Sequence, residues 1–413
     1  MKVPSTLRIA WRNLGRNWRR TCLALAAIVT AQAALLLFAS VINGYTDWMV
    51  QAITGPLVGH VQVHAPLWRK DRALDRSLPH AAATLAALRK DPGVVRASGR
   101  IYAPALAAVG EEGHGVLLLG VDPAAEATPE ALLSGVPADQ LPGARRVLVG
   151  KGLADTLRLA PGSELAIVGQ AADGSVASEL YTVSGVVLTD IDLVNRLGVV
   201  LALPDAVELL AMGDAVHEIV LRAADPSAAD ALAARLGSLP ELAGAEVLPW
   251  KRLAPELASL VSLVGAASYF ILIFVFVAAA TGVTNTLMMS TFERTHELGM
   301  LLALGAMPGR LVRMIVLESF FLGVIGLAVG TALGLGVVFL TQHTGIDLSR
   351  LGEAEGSGEI EYAGLRWKML VFPRAVWADV MKGALGVGVT SLLAALWPAL
   401  RAARLQPVEA MRA

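Results

Sequence analysis

Four stretches without charged side chains limit what this chain can fold into. Residues 21–46 lie between Arg20 and Asp47, and residues 257–292 between Glu256 and Glu293. From 314 to 346 the only ionisable groups are Glu318 and His343, and residues 383–400 run from Lys382 to Arg401. A helix needs about 20 apolar residues to cross a hydrocarbon core. The first three stretches are long enough, and the fourth becomes so if it begins near Trp377, which leaves Asp379 and Lys382 at one interface. Composition agrees: 55% of residues are hydrophobic and 17% charged, against roughly 25% charged in a typical soluble protein. Spans are predicted at 21–46, 257–291, 313–341 and 377–400. The first exceeds the apolar core of a signal peptide, about 7–15 residues, and is read as a retained helix.

Flanking charge sets the orientation. Lys2, Arg8, Arg12, Arg16, Arg19 and Arg20 precede the first span with no acid among them, which holds residues 1–20 in the cytoplasm. Four crossings return the tail, 401–413, to the same side, where Arg401, Arg404 and Arg412 outnumber Glu409. The acidic 342–376 segment then forms a short outer loop. Trp11, Trp18, Trp48, Trp250, Trp377 and Trp397 fall near the span ends, where amphipathic rings are best placed.

Residues 47–256 are long enough for an independently packed outer domain. In "GHVQVHAPLW", His60, Gln62 and His64 alternate with Val61 and Val63, a strand signal. A helix is predicted up to Asp91-Pro92-Gly93, with strands after it. "GVLLLGVDP" and "ELYTVSGVVLTDIDLVNRLGVVLALP" read as further strands, and "PDAVELLAM" as a short helix. "RRVLVGKGLADTLRLAPGSELAIV" reads as strand, helix, strand, as does the segment from His217 to Trp250. The expected fold class is therefore an α-helical membrane protein of four spans carrying a large extracytoplasmic α+β domain.

Catalytic chemistry is not in evidence. A net charge of −1 marks no nucleic-acid binder, and the single Cys22 excludes an intrachain disulfide framework. His60 and His64, four apart on a strand, stand about 13 Å from each other, too far to share a metal. "GARRVLVGKG" lacks the spacing of a phosphate loop, and Gly152 follows Lys151 where Ser or Thr is required. No bound metal or cofactor is expected.

The turn between the second and third spans, 292–312, is the most informative segment. Glu293, Arg294, His296 and Glu297 occupy about one turn, apolar Leu298, Met300, Leu301, Leu302 and Leu304 follow, and Gly305 with Pro308-Gly309 ends the helix. It reads either as a short amphipathic helix along the cytoplasmic membrane surface, its acids meeting an arginine-bearing partner, or as a plain connecting loop whose charges face water. In the third span Gly326, Gly330 and Gly334 place a glycine on one face every turn, a helix-packing seam. Glu318 is expected to reach the interface or to pair with Arg313 or an N-terminal arginine.

Four passages together resemble one family: "IAWRNLGRNWRRT" (9–21), "GHVQVH" (59–64), "NTLMMSTFERTHELGMLLALGA" (285–306) and "WPALRAARLQPVEAMR" (397–412). The chain resembles the permeases of the MacB/FtsX-like ABC transporter superfamily, most of all the lipoprotein-releasing LolC/LolE branch. The resemblance implies a type VII permease that is not itself an enzyme. Two copies of a cytoplasmic ATPase would supply ATP and Mg²⁺ chemistry in trans and drive movement of the outer domains, or mechanotransmission. It implies an ATPase-coupling helix containing Glu293, Arg294, Glu297, Gly299, Leu302 and Gly305, and a membrane elbow containing Arg12, Asn13, Arg16, Asn17, Arg19 and Arg20. It also implies a two-lobed outer domain: a mixed lobe built from the segments nearest the membrane, and a helical or variable insertion between them. Tyr45, Trp48, Met49 and Ile53 are assigned to a substrate entrance.

The implied partners are a second permease copy or a sibling permease, membrane lipid, and a periplasmic carrier or substrate lipoprotein, with no nucleic acid. The implied location is a bacterial inner membrane with both termini cytoplasmic. Extraction or movement of a lipoprotein, lipid or amphiphile is the expected function. Control of a periplasmic cell-wall hydrolase and export of antimicrobial peptides or drugs are the alternatives. A homodimer is favoured.

Overall fold

The computed structural model describes residues 12, 15, 18–189, 191–347, 359–362, 365–368, 370–404 and 406. The chain divides into two units. One comprises 1–48, 261–348 and 370–413, and the other 49–260 with 349–369.

Among the described residues, four helices are long and apolar enough to cross a membrane: Trp18–Ile53, Pro255–Glu293, Pro308–Thr341 and Trp377–Ala403. The second has 39 residues, about 58 Å of helix against a core of about 30 Å, so much of it lies outside hydrocarbon. Helix therefore continues past the charges at Asp47 and Glu256, because a charge ends a hydrophobic stretch without ending a helix.

The helical unit closes through small residues. A Cβ on Gly326 would lie 2.5 Å from Ile28 Cγ2, one on Gly330 2.8 Å from Gln32 Cβ, and one on Gly334 3.1 Å from Ala33 Cα. The glycine seam thus seats the first span on the third within a single chain. Gln32 Nε2 donates to Thr331 Oγ1 at 3.2 Å across it. Ala24, Ile28, Val283, Leu287, Leu322, Val387 and Ala395 bring residues of all four helices into one core. Ser319 Oγ donates to Ser391 O at 2.9 Å, which satisfies a hydroxyl inside that core.

The inserted domain is built on eleven strands: β1 (Val61–His64), β2 (Leu78–Pro79), β3 (Val94–Val109), β4 (Glu112–Val121), β5 (Arg146–Gly150), β6 (Glu164–Gln170), β7 (Val176–Val187), β8 (Gly198–Ala202), β9 (Ala215–Val216), β10 (Glu218–Ala223) and β11 (Glu246–Pro249). Strands β2 and β9 form a separate pair, and the other nine run β11-β1-β10-β3-β4-β8-β5-β7-β6. The sixteen-residue β3 is the pivot. Its first part, Val94–Arg100, pairs with β10 in an antiparallel layer with β1 and β11. Its second part pairs with β4 along one edge, and Ala105–Ala108 pair with β6 along the other. The pairings β3-β4-β8-β5-β7-β6-β3 therefore close a six-stranded barrel, which leaves no open edge in that half.

The layer is formed by the segments that follow the first span and precede the second. What lies between them is a barrel with short helices. Within "ELYTVSGVVLTDIDLVNRLGVVLALP" the residues Asp192–Leu197 are helical, although the whole stretch is predicted as strand. Asn195 is the cause: Thr189 N–H donates to its Oδ1 at 2.8 Å, and its Nδ2 donates to Thr189 O at 2.7 Å, a local turn that breaks the strand. The alternation in β1 likewise does not separate inside from outside, since all four of its residues are buried. The polar face of the strand is covered by the short helix Trp68–Asp71, whose Arg69 donates to Gln62 Oε1 at 3.0 Å.

Candidate functional site

The second apolar helix stops at Glu293, and Arg294 begins a nine-residue helix, Thr295–Ala303. Thr295 Oγ1 donates back to Phe292 O at 2.6 Å, and Leu298 N–H donates to Arg294 O at 2.9 Å, so the two helices meet at a bend without a gap. The far end is a Schellman stop: Ala306 N–H donates to Leu301 O and Gly305 N–H to Leu302 O, both at 3.0 Å. Gly305 has φ +88°, a conformation a Cβ would oppose. Pro308 then opens the third span at a position that needs no N–H donor.

One face of this helix is anchored. Leu298 packs with Leu311, Met314 and Ile315 of the third span and with Ala399 and Ala402 of the fourth, and Leu302 joins the edge of the cluster. Gly299 is buried beside Leu298. Arg294, with 11% of its side chain exposed, places Nη1 3.3 Å from Glu318 Oε2 and Nε 3.4 Å from Glu297 Oε2. Glu318 thus pairs with Arg294, a residue 24 positions earlier that the sequence reading did not name as its partner.

The opposite face is open. Met300 is 45% exposed, Leu301 41%, Leu304 81% and Met307 78%, with Glu293 and His296 exposed beside them. The structure therefore brings together Glu293, Arg294, Glu297, Gly299, Leu302 and Gly305 on one short element. Sequence reasoning missed Met300, Leu301, Leu304 and Met307 as surface. Their signal was present, because four apolar side chains surround a turn that two glycines and a proline force out of the spans.

The other assigned residues form no second cluster. Arg12 and Arg19 are exposed, and Arg19 Cζ lies 5.8 Å from the Trp18 ring centroid. Asn13, Arg16 and Asn17 lie outside the described residues, as do the side chains of Arg20 and Ile53. The Tyr45 and Trp48 rings stack at 5.9 Å and 26°. Met49 is buried. Among the described residues no three His, Cys, Asp or Glu converge as metal ligands.

Among the described residues, the chain combines four membrane-length helices, an α+β domain inserted between the first two, and a short capped helix at the turn between the next two. The model of the MacB-like periplasmic core domain matches residues 21–239, and that of the FtsX-like permease C-terminal region matches 269–407. The chain belongs to the MacB/FtsX-like ABC permease superfamily, whose members are transporter subunits working with ABC ATPases.

It is 24% identical over 411 residues to the lipoprotein-releasing system transmembrane protein LolC of Neisseria meningitidis, covering 95% of this chain and 94% of that one. It is 29% identical over 138 residues to the macrolide export ATP-binding/permease protein MacB of Chromobacterium violaceum, covering 33% of this chain and 17% of the relative. The periplasmic region of MacB from Actinobacillus actinomycetemcomitans superposes with TM-score 0.37 and 12% identity, over 51% of this chain and 97% of that structure.

Proposed function

We propose that this chain is the permease subunit of an ABC transporter that moves a lipoprotein, lipid or similar amphiphile, and that the helix Thr295–Ala303 is where a separate ATPase docks. The observation that carries the reading is the two-sided character of this helix. One face is fixed by Leu298 and Arg294, while Met300, Leu301, Leu304 and Met307 are left exposed beside acidic side chains. An exposed apolar patch with a charged rim is a protein-contact surface. Its occupant is an ATPase, since that is the partner with which members of the superfamily work.

ATP binding and hydrolysis in the partner shift this helix, and the spans carry the movement to the inserted domain. Two permease copies and two ATPases form the working unit, in a bacterial inner membrane with both termini cytoplasmic and the inserted domain periplasmic. The lipoprotein reading is supported by near end-to-end similarity to a lipoprotein-releasing relative. Its energetic demand is considerable: an acyl chain costs about 0.8 kcal/mol per CH₂ to withdraw from lipid, so a carrier must shelter the chain during transfer. Tyr45, Trp48, Met49 and Ile53 are proposed as its entrance.

Co-purification with the ATPase in nanodiscs tests the reading. Wild type is expected to give a 2:2 complex, and Glu293→Arg with Glu297→Arg to lose it. Undiminished assembly and ATP turnover in that double variant would overturn the assignment. Photo-crosslinking from position 45 or 48 to a lipidated substrate tests the entrance, and absence of adducts would remove it.

A further inference from the structure

Where the docking helix meets the spans, a buried charge stands out. Glu318 sits ten residues into the third span, with 10% of its side chain exposed, among Leu311, Met314, Ile315 and Leu322. A carboxylate in such a place is costly unless paired, and the pairing must be worth what desolvation removes. Arg294 meets it from outside the span. Its guanidinium reaches Glu318 on the third span and Glu297 on the docking helix, at 3.3 and 3.4 Å. The N-cap residue of the docking helix is Arg294, whose own side chain makes no capping bond. The same residue is therefore the bend between the second span and the docking helix and the charged tie to the third span.

We propose that Arg294 is a positioning residue: through Glu318 it makes the docking helix and the third span move as one, so that ATPase motion enters the bundle through the third span. This rests on the docking reading above and adds its route. The apolar contacts of Leu298 also hold the helix, but such packing is non-directional and tolerates sliding. A charge-assisted bond from a planar fork fixes direction and register. The third span then passes the motion on along its glycine seam, where Gly326, Gly330 and Gly334 leave no slack against Ile28, Gln32 and Ala33.

The experiment uses the full permease–ATPase complex in nanodiscs, with four variants: Glu318→Gln, Arg294→Met, Arg294→Lys and Leu304→Glu. Co-purified ATPase reports docking, and ATP turnover with its KM reports transmission. Glu318→Gln and Arg294→Met are expected to retain ATPase at wild-type stoichiometry and an unchanged KM for ATP, with turnover reduced about tenfold. Arg294→Lys keeps the charge and should recover most of the turnover. Turnover within twofold of wild type in both Glu318→Gln and Arg294→Met would overturn the proposal. Loss of ATPase from these variants would also overturn it, because the pair would then be a determinant of the surface itself. Failure of the docking reading has a different signature: Leu304→Glu, which leaves the pair intact, would retain its ATPase.

Discussion

The two units each bury an arginine–glutamate pair, and the pairs are built differently. In the inserted domain Arg100 and Glu126 are 1% and 0% exposed, joined by Nε–Oε1 at 2.8 Å and Nη2–Oε2 at 3.0 Å. Arg100 also donates from Nη1 to Leu57 O and from Nη2 to Pro56 O at 2.9 and 3.0 Å, and Leu132 N–H donates to Glu126 Oε2 at 3.2 Å. In the helical unit Arg294 and Glu318 touch through one contact of 3.3 Å and retain about a tenth of their exposure. The first pair is a multiply hydrogen-bonded joint between β3, the helix Pro123–Glu126 and the π-helical turn Thr54–Val58. A permanent joint calls for complete satisfaction of every donor, whereas a contact that transmits motion has to be loadable.

That contrast is broken most severely at Glu126. Burial alone would raise its pKa, but the charge and hydrogen bonds of Arg100 outweigh burial and hold it below the ordinary carboxylate value. Glu126→Ala leaves the guanidinium buried without its counter-charge and should cost about 3–5 kcal/mol. Glu318→Ala should cost less, because its partner keeps Glu297 and some access to water. Hydrogen exchange of the full chain in nanodiscs reads both, and equal destabilisation would erase the distinction between joint and tie.

Acid sharpens the same comparison. His60 is buried, accepts Ala223 N–H at Nδ1 at 3.0 Å, and has its pKa lowered by burial to about 4. His64 and His217 are shifted in the same direction, also by burial. In the neutral ring of His217, Nδ1 accepts Tyr102 N–H at 2.9 Å and Nε2 donates to Leu74 O at 3.0 Å, the second bond opposing the shift that burial produces. Below pH 6.5 the unfolded chain takes up protons that the folded domain refuses. Stability is therefore complete above 6.5 and falls as pH drops toward 4, by about 3 kcal/mol for His60 alone. Glu218, raised by burial, works in the opposite direction. His60→Gln should flatten the profile of the inserted domain, as measured by pH-dependent melting, and an unchanged acid limb would remove His60 as its source.

How much of this was legible in the sequence follows from range. The spans were visible because absence of charge is a local property, and the Gly305 stop because one residue carries it. Helix extents were not, because the turns beyond Asp47 are held by contacts outside the charge-free stretch. The barrel was hidden in β3: nothing local tells that Ala105–Ala108 meet β6 more than fifty residues on. Arg100 and Glu126 are single charges 26 residues apart in the sequence, and their meaning exists only in the pair. Around the helix Thr295–Ala303 the charges of Glu293, Arg294 and Glu297 were visible in the sequence, but the partner of Arg294 was not, because Glu318 lies beyond a turn whose geometry the charges do not encode.

The helical unit relies on shape more than on polar bonds, and its seam gives the next largest effect. A side chain at Gly330 would meet Gln32 Cβ at 2.8 Å and Val29 O at 2.9 Å, while one at Gly336 on the same helix meets nothing within 4 Å. Gly330→Leu should therefore cost about 1–3 kcal/mol through overpacking, and Gly336→Leu close to nothing. Thermal melting in one detergent separates them, and equal melting points would mean that the first span is not seated on this seam.

Leu304→Glu should have the smallest effect on stability. The side chain is 81% exposed and lies outside the cluster of Leu298, Leu311 and Met314, so the change should stay within about 0.5 kcal/mol. Its effect on assembly should be large, because a carboxylate at the centre of an apolar contact must be desolvated without a partner when the ATPase docks. A residue that the fold ignores and the complex requires is the signature of a surface made for another protein. A variant that melts like wild type and loses its ATPase would show that signature at Leu304. A variant that melts like wild type and keeps its ATPase would remove Leu304 from the contact.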